Sequence, residues 1–295
     1  MRILFFLILL FSLPWQLSFA ETDRTLQSVN YPTLWQAGDP FLQQGLEKLV
    51  KKHGLWQPIQ NKHLSLVLVD ISDLKKPRLA ELNGNKMFYA ASLPKIVILL
   101  GAFVEIESGK LAESDDLYEH MVKMIRYSDN RSASHVLSLV GEQRIIEIIQ
   151  DPNFALYDPE HNGGLWLGKA YAKGTAYQRD PLHNLSHGAT AIQAARFYYL
   201  LETNQLLSPE YSKKMKAILS KPGIKHKFVK GLASKPGIKM YRKSGSWKNF
   251  HADSAMVEYK EHKYIIIGLS DSTSGGKWLT KLARPIHELV VVSKP

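Results

Sequence analysis

The chain has 295 residues, 45% hydrophobic and 22% charged, the proportions of one large globular domain or two small ones. Its formal charge of +11 sits between Tyr211 and Ala252, where eleven lysines and Arg242 occur with no acid. Cysteine is absent, which excludes a disulfide and a lipid-anchored N-terminal cysteine. At the start, Arg2 precedes an apolar run from Ile3 to Leu13, and Ser18-Phe19-Ala20 has the small-x-small pattern of a cleavage site. Residues 1–20 therefore read as an export signal, whose apolar run is too short for the roughly 18–20 residues that span a bilayer. Removal after Ala20 leaves 21–295 in the periplasm or secreted, with no stable membrane anchor. An exported chain makes nucleic acid a poor partner. The basic segment is then a solvated face or a surface for anionic partners.

Residues 21–38 look irregular. Asp39-Pro40 reads as N-cap and first helical position, followed by an apolar stripe through Phe41, Leu42, Leu46, Leu49 and Val50, with Gly54 ending the helix. Leu64 to Ile71 reads as a strand, Arg78 to Leu82 as its partner, and Asn83-Gly84-Asn85 as the turn beyond. A helical pattern runs from Ser92 to about Ile106, and the chain to Ile192 stays mostly helical apart from one long irregular section. Ile238 to Trp247, His251 to Tyr259 and Tyr264 to Ser270 predict an antiparallel meander. A last helix lies within Lys277 to Val291, with Pro285 expected to shorten or kink it. Strands at both ends with helices between predict an α/β architecture: an antiparallel sheet from both termini, flanked by helices, with an all-helical insert. Ser-Lys-Pro-Gly-Ile-Lys occurs at 220–225 and again at 234–239, which is turn chemistry and not a repeat fold.

Ser-x-x-Lys begins at Ser72, Ser92 and Ser274, so spacing alone selects nothing. Lys95 differs because it opens the apolar run Ile96 to Val104, and a helix apolar all round is a buried helix. Pro94 belongs in a first turn, which puts the helix start near Ser92 and sets Ser92 and Lys95 on one face. A buried ammonium is costly unless paired or deprotonated. Burial lowers its pKa, and a neutral amine can accept a serine proton. Ser128-Asp129-Asn130 precedes a short amphipathic helix that Gly141 ends, and taken alone it is ordinary capping. Lys243-Ser244-Gly245 falls inside a predicted strand, where glycine marks a bulge or a close approach. No metal site is expected: His183 and His187 have a His-x-x-x-His spacing, but Asn184 stands where a zinc-protease helix needs glutamate.

Taken in order, Ser92-Leu-Pro-Lys95, Ser128-Asp-Asn130 and Lys243-Ser-Gly245 make the chain resemble the class A serine β-lactamase-like family, which shares its fold with penicillin-binding proteins. Phe88 to Lys95, Tyr127 to Ala133 and Gly188 to Arg196 resemble that family's central-helix entry, relay loop and post-loop helix. The resemblance implies a β-lactamase/transpeptidase-like fold, with the α/β part at about 39–91 and 216–295 and the helical part at about 92–215. It implies Ser92 as nucleophile, Lys95 as its base or proton conduit, and Ser128 as proton donor to the leaving nitrogen. Asn130 would hold a substrate amide, while Asp129 orders its loop. Lys243, Ser244 and Gly245 would bind the substrate carboxylate, and the backbone N–H groups of Ser92 and Ser246 would form an oxyanion hole. The implied partner is a small-molecule β-lactam or a peptidoglycan peptide, with no cofactor, and a monomer is expected.

One departure bears on turnover. The Glu-x-x-x-Asn that supplies the deacylation base in class A enzymes is missing from residues 150–187. Asp158-Pro-Glu-His-Asn162 has the spacing with aspartate first, so Asp158 or Glu160 is the candidate base. The implied activity is β-lactam hydrolysis. The alternatives are a DD-peptidase on D-Ala-D-Ala stems, or a β-lactam-binding sensor that is acylated once.

Overall fold

A computed structural model describes residues 30–292; the export signal expected at 1–20 lies outside the described residues. After a 3₁₀ turn at Leu34–Gln36, helix α1 (Pro40–Lys52) starts where Asp39 Oδ1 accepts from Leu42 N at 2.7 Å, with Pro40 in its first turn. Helix α2 (Trp56–Gln60) leads to β1 (Leu64–Asp70), β2 (Arg78–Leu82) and the short β3 (Phe88–Tyr89). Helices α3 (Lys95–Glu107), α4 (Asp115–Arg126), α5 (Asn130–Val140) and α6 (Glu142–Gln150) follow. The section expected to be irregular holds four short strands: β4 (Tyr157–Asp158), β5 (Gly163–Gly164), β6 (Trp166–Leu167) and β7 (His187–Ala189). Then come α7 (Ala191–Glu202), α8 (Pro209–Leu219), α9 (Phe228–Gly231), β8 (Lys239–Trp247), β9 (Phe250–Tyr259), β10 (His262–Ser270) and α10 (Gly275–Val292).

The main sheet has the order β2-β1-β10-β9-β8, and its pairs β1–β2, β1–β10, β9–β10 and β8–β9 are antiparallel. The N-terminal hairpin is thus inserted beside the C-terminal meander, Leu64 opposite Ser270 and Asp70 opposite Tyr264, as the strand pattern at both chain ends predicts. Strand β1 is buried along its whole length because helices cover both faces. Leu64, Leu66 and Leu68 pack with α1 and α10, whereas Val67 and Val69 join the core around α3 and α7, the alternation a pleated strand requires.

Helix α3 is the centre of that second core, with Ile96 to Ala102 buried on every side. Gly101 is where α6 crosses it: a Cβ there would come within 2.5 Å of Ile145 Cδ1 and 3.0 Å of Val140 Cγ1. At the other end of the chain, α10 continues through Pro285 instead of stopping there. Burial of Leu279, Leu282, Ala283, Ile286 and Val290 offsets the roughly 3 kcal/mol that an interior proline costs. No helix among the described residues is long and apolar enough to cross a membrane.

Candidate active site

Ser92 does not begin the helix, as the position of Pro94 predicts, but precedes it. Leu93 N bonds Ala90 O at 3.0 Å, Lys95 N bonds Ser92 O at 3.3 Å and Ile96 N bonds Leu93 O at 3.2 Å, a run of i to i+3 turns with Pro94 as the cap of α3. Residues three apart eclipse in such turns, so Ser92 and Lys95 still share a side. Ala91 has φ of +50°, a left-handed conformation that no helix accommodates and that costs about 1 kcal/mol or more for a residue with a Cβ. Strand β8 lies directly against this turn. A Cβ on Gly245 would sit 2.2 Å from Ala90 O, 2.8 Å from Ser92 N and 3.0 Å from Leu93 N, so only glycine fits.

Lys95 is fully buried, and its Nζ reaches across to the loop between α4 and α5. It donates to Ser128 O at 2.6 Å and Asn130 Oδ1 at 2.7 Å, with Ser128 Oγ and Asp129 O each at 3.4 Å. None of these acceptors is Ser92. Burial lowers the Lys95 pKa to about 7, against the opposing pull of the Asp129 charge. A large fraction of this amine is then neutral near neutral pH, the state a general base needs.

Ser128 also has a left-handed φ, +60°. The bend is held from the α5 side, where Asp129 Oδ1 accepts from Ser132 N at 2.6 Å; that bond with Ser132 leads the causes that keep the Asp129 carboxyl below its usual pKa. Asp129 is therefore a loop organiser in this geometry. The Ser128 hydroxyl lies between two amines, since Lys243 Nζ donates to it at 3.0 Å. Lys243 is buried, and its other acceptor is Ser244 O at 2.5 Å. Burial, then the neighbouring charges of Lys95, Arg242 and Lys227, hold the Lys243 pKa well below normal, with Asp253 opposing. The sequence motifs thus meet around one hydroxyl: Ser128 joins Lys95 to Lys243.

The strand carrying Lys243 is braced by groups that the motifs do not include. Arg242 Nε and Nη2 bond the two Asp253 oxygens at 2.7 and 3.0 Å, and Asp253 Oδ2 also accepts from Phe228 N at 3.0 Å. Lys227 Nζ donates to Gly245 O at 2.6 Å, Ser246 Oγ at 2.9 Å and Ala252 O at 2.9 Å, tying β8 to β9 beside the nucleophile turn. Burial lowers its pKa to about 8. Part of the basic segment expected to face solvent is therefore internal: Lys227, Arg242 and Lys243 are each at most 3% exposed. Other lysines of that segment, among them Lys213, Lys216, Lys221 and Lys239, line a pocket of about 760 Å³ that contains none of the three motifs.

The 150–187 section brings an aromatic ring to Lys95. Gly168 is clamped between Ser186 O (2.8 Å from its N–H) and Gln178 N, and a Cβ there would overlap Gln178 O. That clamp leads the chain into Tyr171, whose ring centroid lies 4.4 Å from Lys95 Nζ and whose hydroxyl donates to Ala91 O at 3.0 Å. Burial holds the Tyr171 hydroxyl protonated, far above its usual pKa. The His187 ring packs against it at a tilt, centroids 4.6 Å apart, buried in β7 and lowered to about pKa 4 by desolvation. The sequence places His183 and His187 together in a loop; instead His183 is exposed, bonding Asn162, while His187 begins a strand. Asp158 caps the 3₁₀ turn 159–161, accepting from Glu160 N at 2.9 Å and contacting His161 Nδ1 at 2.7 Å. None of these Asp158 partners belongs to the Ser92, Lys95, Ser128 cluster.

Tyr171 and Lys227 have no motif signal, and the His-x-x-x-His spacing that picks out His187 points to a loop and not to its place behind Tyr171. The aromatic and glycine content of the 161–168 stretch is the nearest hint, and it predicts only a packed loop.

A buried lysine and a serine at the entrance of the central helix, a serine-bearing loop between two helices and a lysine on the edge strand are an arrangement that suits a serine hydrolase. A family model described as the beta-lactamase enzyme family matches residues 115–290, and the chain belongs to that family. Among solved structures it is similar to PBP-A, with a TM-score of 0.65 and 17% identity over 88% of this chain and 98% of that one. A beta-lactamase from Sphaerobacter thermophilus aligns with a TM-score of 0.67 and 16% identity over 85% and 98%. A PBP-A mutant solved as an acyl-enzyme with penicillin G gives 0.63 and 18% over 87% and 98%. At these identities the structures establish the fold. A search of curated proteins gives no match.

Proposed function

We propose that this chain is an exported, monomeric serine hydrolase that opens β-lactam amides through an acyl-enzyme on Ser92. The observation that carries this reading is the Ser128 hydroxyl held between Lys95 and Lys243. Ser92 Oγ attacks the lactam carbonyl carbon while its proton passes to neutral Lys95, whose side chain turns from its loop acceptors as substrate enters. Catalytic hydrogen bonds commonly tighten only in the complex. The N–H groups of Ser92 and Ser246 hold the oxyanion, each donor worth about 3–4 kcal/mol. The C–N bond then breaks, and Ser128 gives its proton to the leaving nitrogen and regains one from the lysine pair. Asn130 positions the substrate amide, and Lys243 with Ser244 and Gly245 receives the carboxylate.

A second reading, a penicillin-binding peptidase on D-Ala-D-Ala ends, is favoured by Tyr171. Its ring, and no carboxylate among the described residues, lies against Lys95 from the loop that bears the water-activating glutamate in class A enzymes. Hydrolysis of the ester then lacks a placed base, and Asp158 or Glu160 serves only if the loop rearranges. Mixing the purified protein with a chromogenic cephalosporin while following intact mass tests both readings. Lasting colour with a transient adduct supports the hydrolase. A stable adduct with little colour, together with D-alanine release from a pentapeptide, supports the peptidase. An adduct that forms at an unchanged rate in Ser92→Ala refutes both.

A further inference from the structure

Helices α4 and α5 bring three metal-ligating side chains together on the outer side of the Ser128 loop. Asp116 and His120 are one turn apart on α4, and His135 faces them from α5. Asp116 Oδ1 lies 3.8 Å from His120 Nε2, and Asp116 Oδ2 lies 3.9 Å from His135 Nε2. The two imidazole centroids are 4.3 Å apart, and one ligand atom from each residue falls within 4.8 Å of the other two. These separations are too long for hydrogen bonds. The two Asp116–histidine distances exceed by about 0.5 Å the edge of roughly 3.3 Å that a tetrahedral ion with bonds of about 2.0–2.1 Å imposes, and the limit of 4.8 Å on all three pairs asks the side chains to draw together further. Asp116 is 76% exposed at its side chain, so it is free to make that adjustment and the site is open to solvent.

The second observation concerns the orientation of His120. Its Nδ1 lies 3.0 Å from the hydroxyl of Ser132, a buried residue. With Nδ1–H donating there, Nε2 carries the lone pair and points toward Asp116, the arrangement in which a second partner prepares a histidine for a metal. Ser132 N is itself held by Asp129, so the same residue ties this cluster to the loop that carries Ser128.

We propose that Asp116, His120 and His135 bind one divalent first-row transition ion, with zinc as the representative, and that the ion pins α4 to α5 across the 127–129 turn. Two imidazoles and one carboxylate suit zinc, copper or nickel, whereas magnesium and calcium require oxygen ligands. The site stands independently of the role of Ser92. The sequence could not disclose it, because the Asp-x-x-x-His pair on α4 is common on helix surfaces and its third ligand comes from another helix.

The test uses untagged, EDTA-treated protein dialysed against zinc, with bound metal measured by mass spectrometry and melting followed in parallel. One zinc per chain and a melting temperature raised by about 5 °C are expected, with no rise in magnesium. His120→Ala and His135→Ala are expected to weaken binding at least tenfold while melting like the parent in EDTA. If either variant fails to fold, Asp116→Asn, which alters an exposed side chain, is measured instead and is also expected to weaken binding. No bound zinc in the parent, or equal binding in the variants, overturns the assignment.

Discussion

An amine in an apolar helix lowers stability, and Lys95 carries that cost openly. With its pKa lowered to about 7 by burial, the folded chain releases a proton that the unfolded chain keeps until about pH 10. Between those values the unfolded state binds more protons, so this group makes folding stability rise with pH from about 7 to about 10 and stay flat below. Urea titrations of the parent and of Lys95→Met are expected to diverge in that window, with the variant's rise smaller and only the share of Lys227 and Lys243 left. The same titration governs chemistry with the same sign. Ser92 acylation is expected to speed up as pH increases through about 7, because only neutral Lys95 accepts the proton, and Lys95→Met should not acylate on the same timescale. A rate of adduct formation that is flat from pH 6 to 8 contradicts the base assignment. The burial that makes Lys95 costly is the burial that makes it a base.

At the scale of elements, the close contact between β8 and the turn before α3 decides whether the oxyanion donors align. Three backbone atoms of that turn stand within 3.0 Å of where a Gly245 Cβ would be. Backbone cannot step aside as a side chain tip does. Gly245→Ala is therefore expected to cost about 1–3 kcal/mol of stability by overpacking, and to slow acylation about a hundredfold by moving Ser246 away from Ser92. Denaturant unfolding and adduct kinetics on one preparation check both numbers. Elements were the most legible level in the sequence: the Asp39-Pro40 helix start, the β1 and β2 strands and the closing meander all follow from local capping and periodicity. Helix α3 starts at Lys95, three residues after the Ser92 that Pro94 points to, because Ala91 takes a left-handed conformation that no propensity announces. Pro285 does not shorten α10, because the burial on both sides of it outweighs a local preference.

At the scale of the whole molecule, three buried cations, Lys227, Arg242 and Lys243, share one buried carboxylate, Asp253, at the edge of the sheet. Arg242 and Asp253 are each at most 3% exposed, so removing the acid strands a guanidinium beside two amines. Asp253→Ala is expected to destabilise the protein by about 3–5 kcal/mol, and the double replacement Arg242→Met with Asp253→Leu is expected to recover much of that loss. Thermal melts of the parent and the two variants decide it; equal losses in the single and double variants would mean that the pair has no such role. This cluster also shows why the charge excess misleads when read as surface. The lysine-rich segment crosses the interior on β8, where each cation takes backbone carbonyls as acceptors.

The sequence by itself determined the helices and strands at both chain ends and singled out Lys95 among three Ser-x-x-Lys pairs, because both depend on neighbours within a few turns of chain. One lysine opening an apolar helix is a local contradiction, visible without a fold. The tertiary structure alone decided what surrounds them: Lys243 on the Ser128 hydroxyl, Tyr171 over the Lys95 amine, Lys227 stapling β8 to β9, and His135 beside Asp116 and His120. Those contacts join residues far apart in the chain, whose separation is set by how helices and strands pack and leaves no periodicity to read.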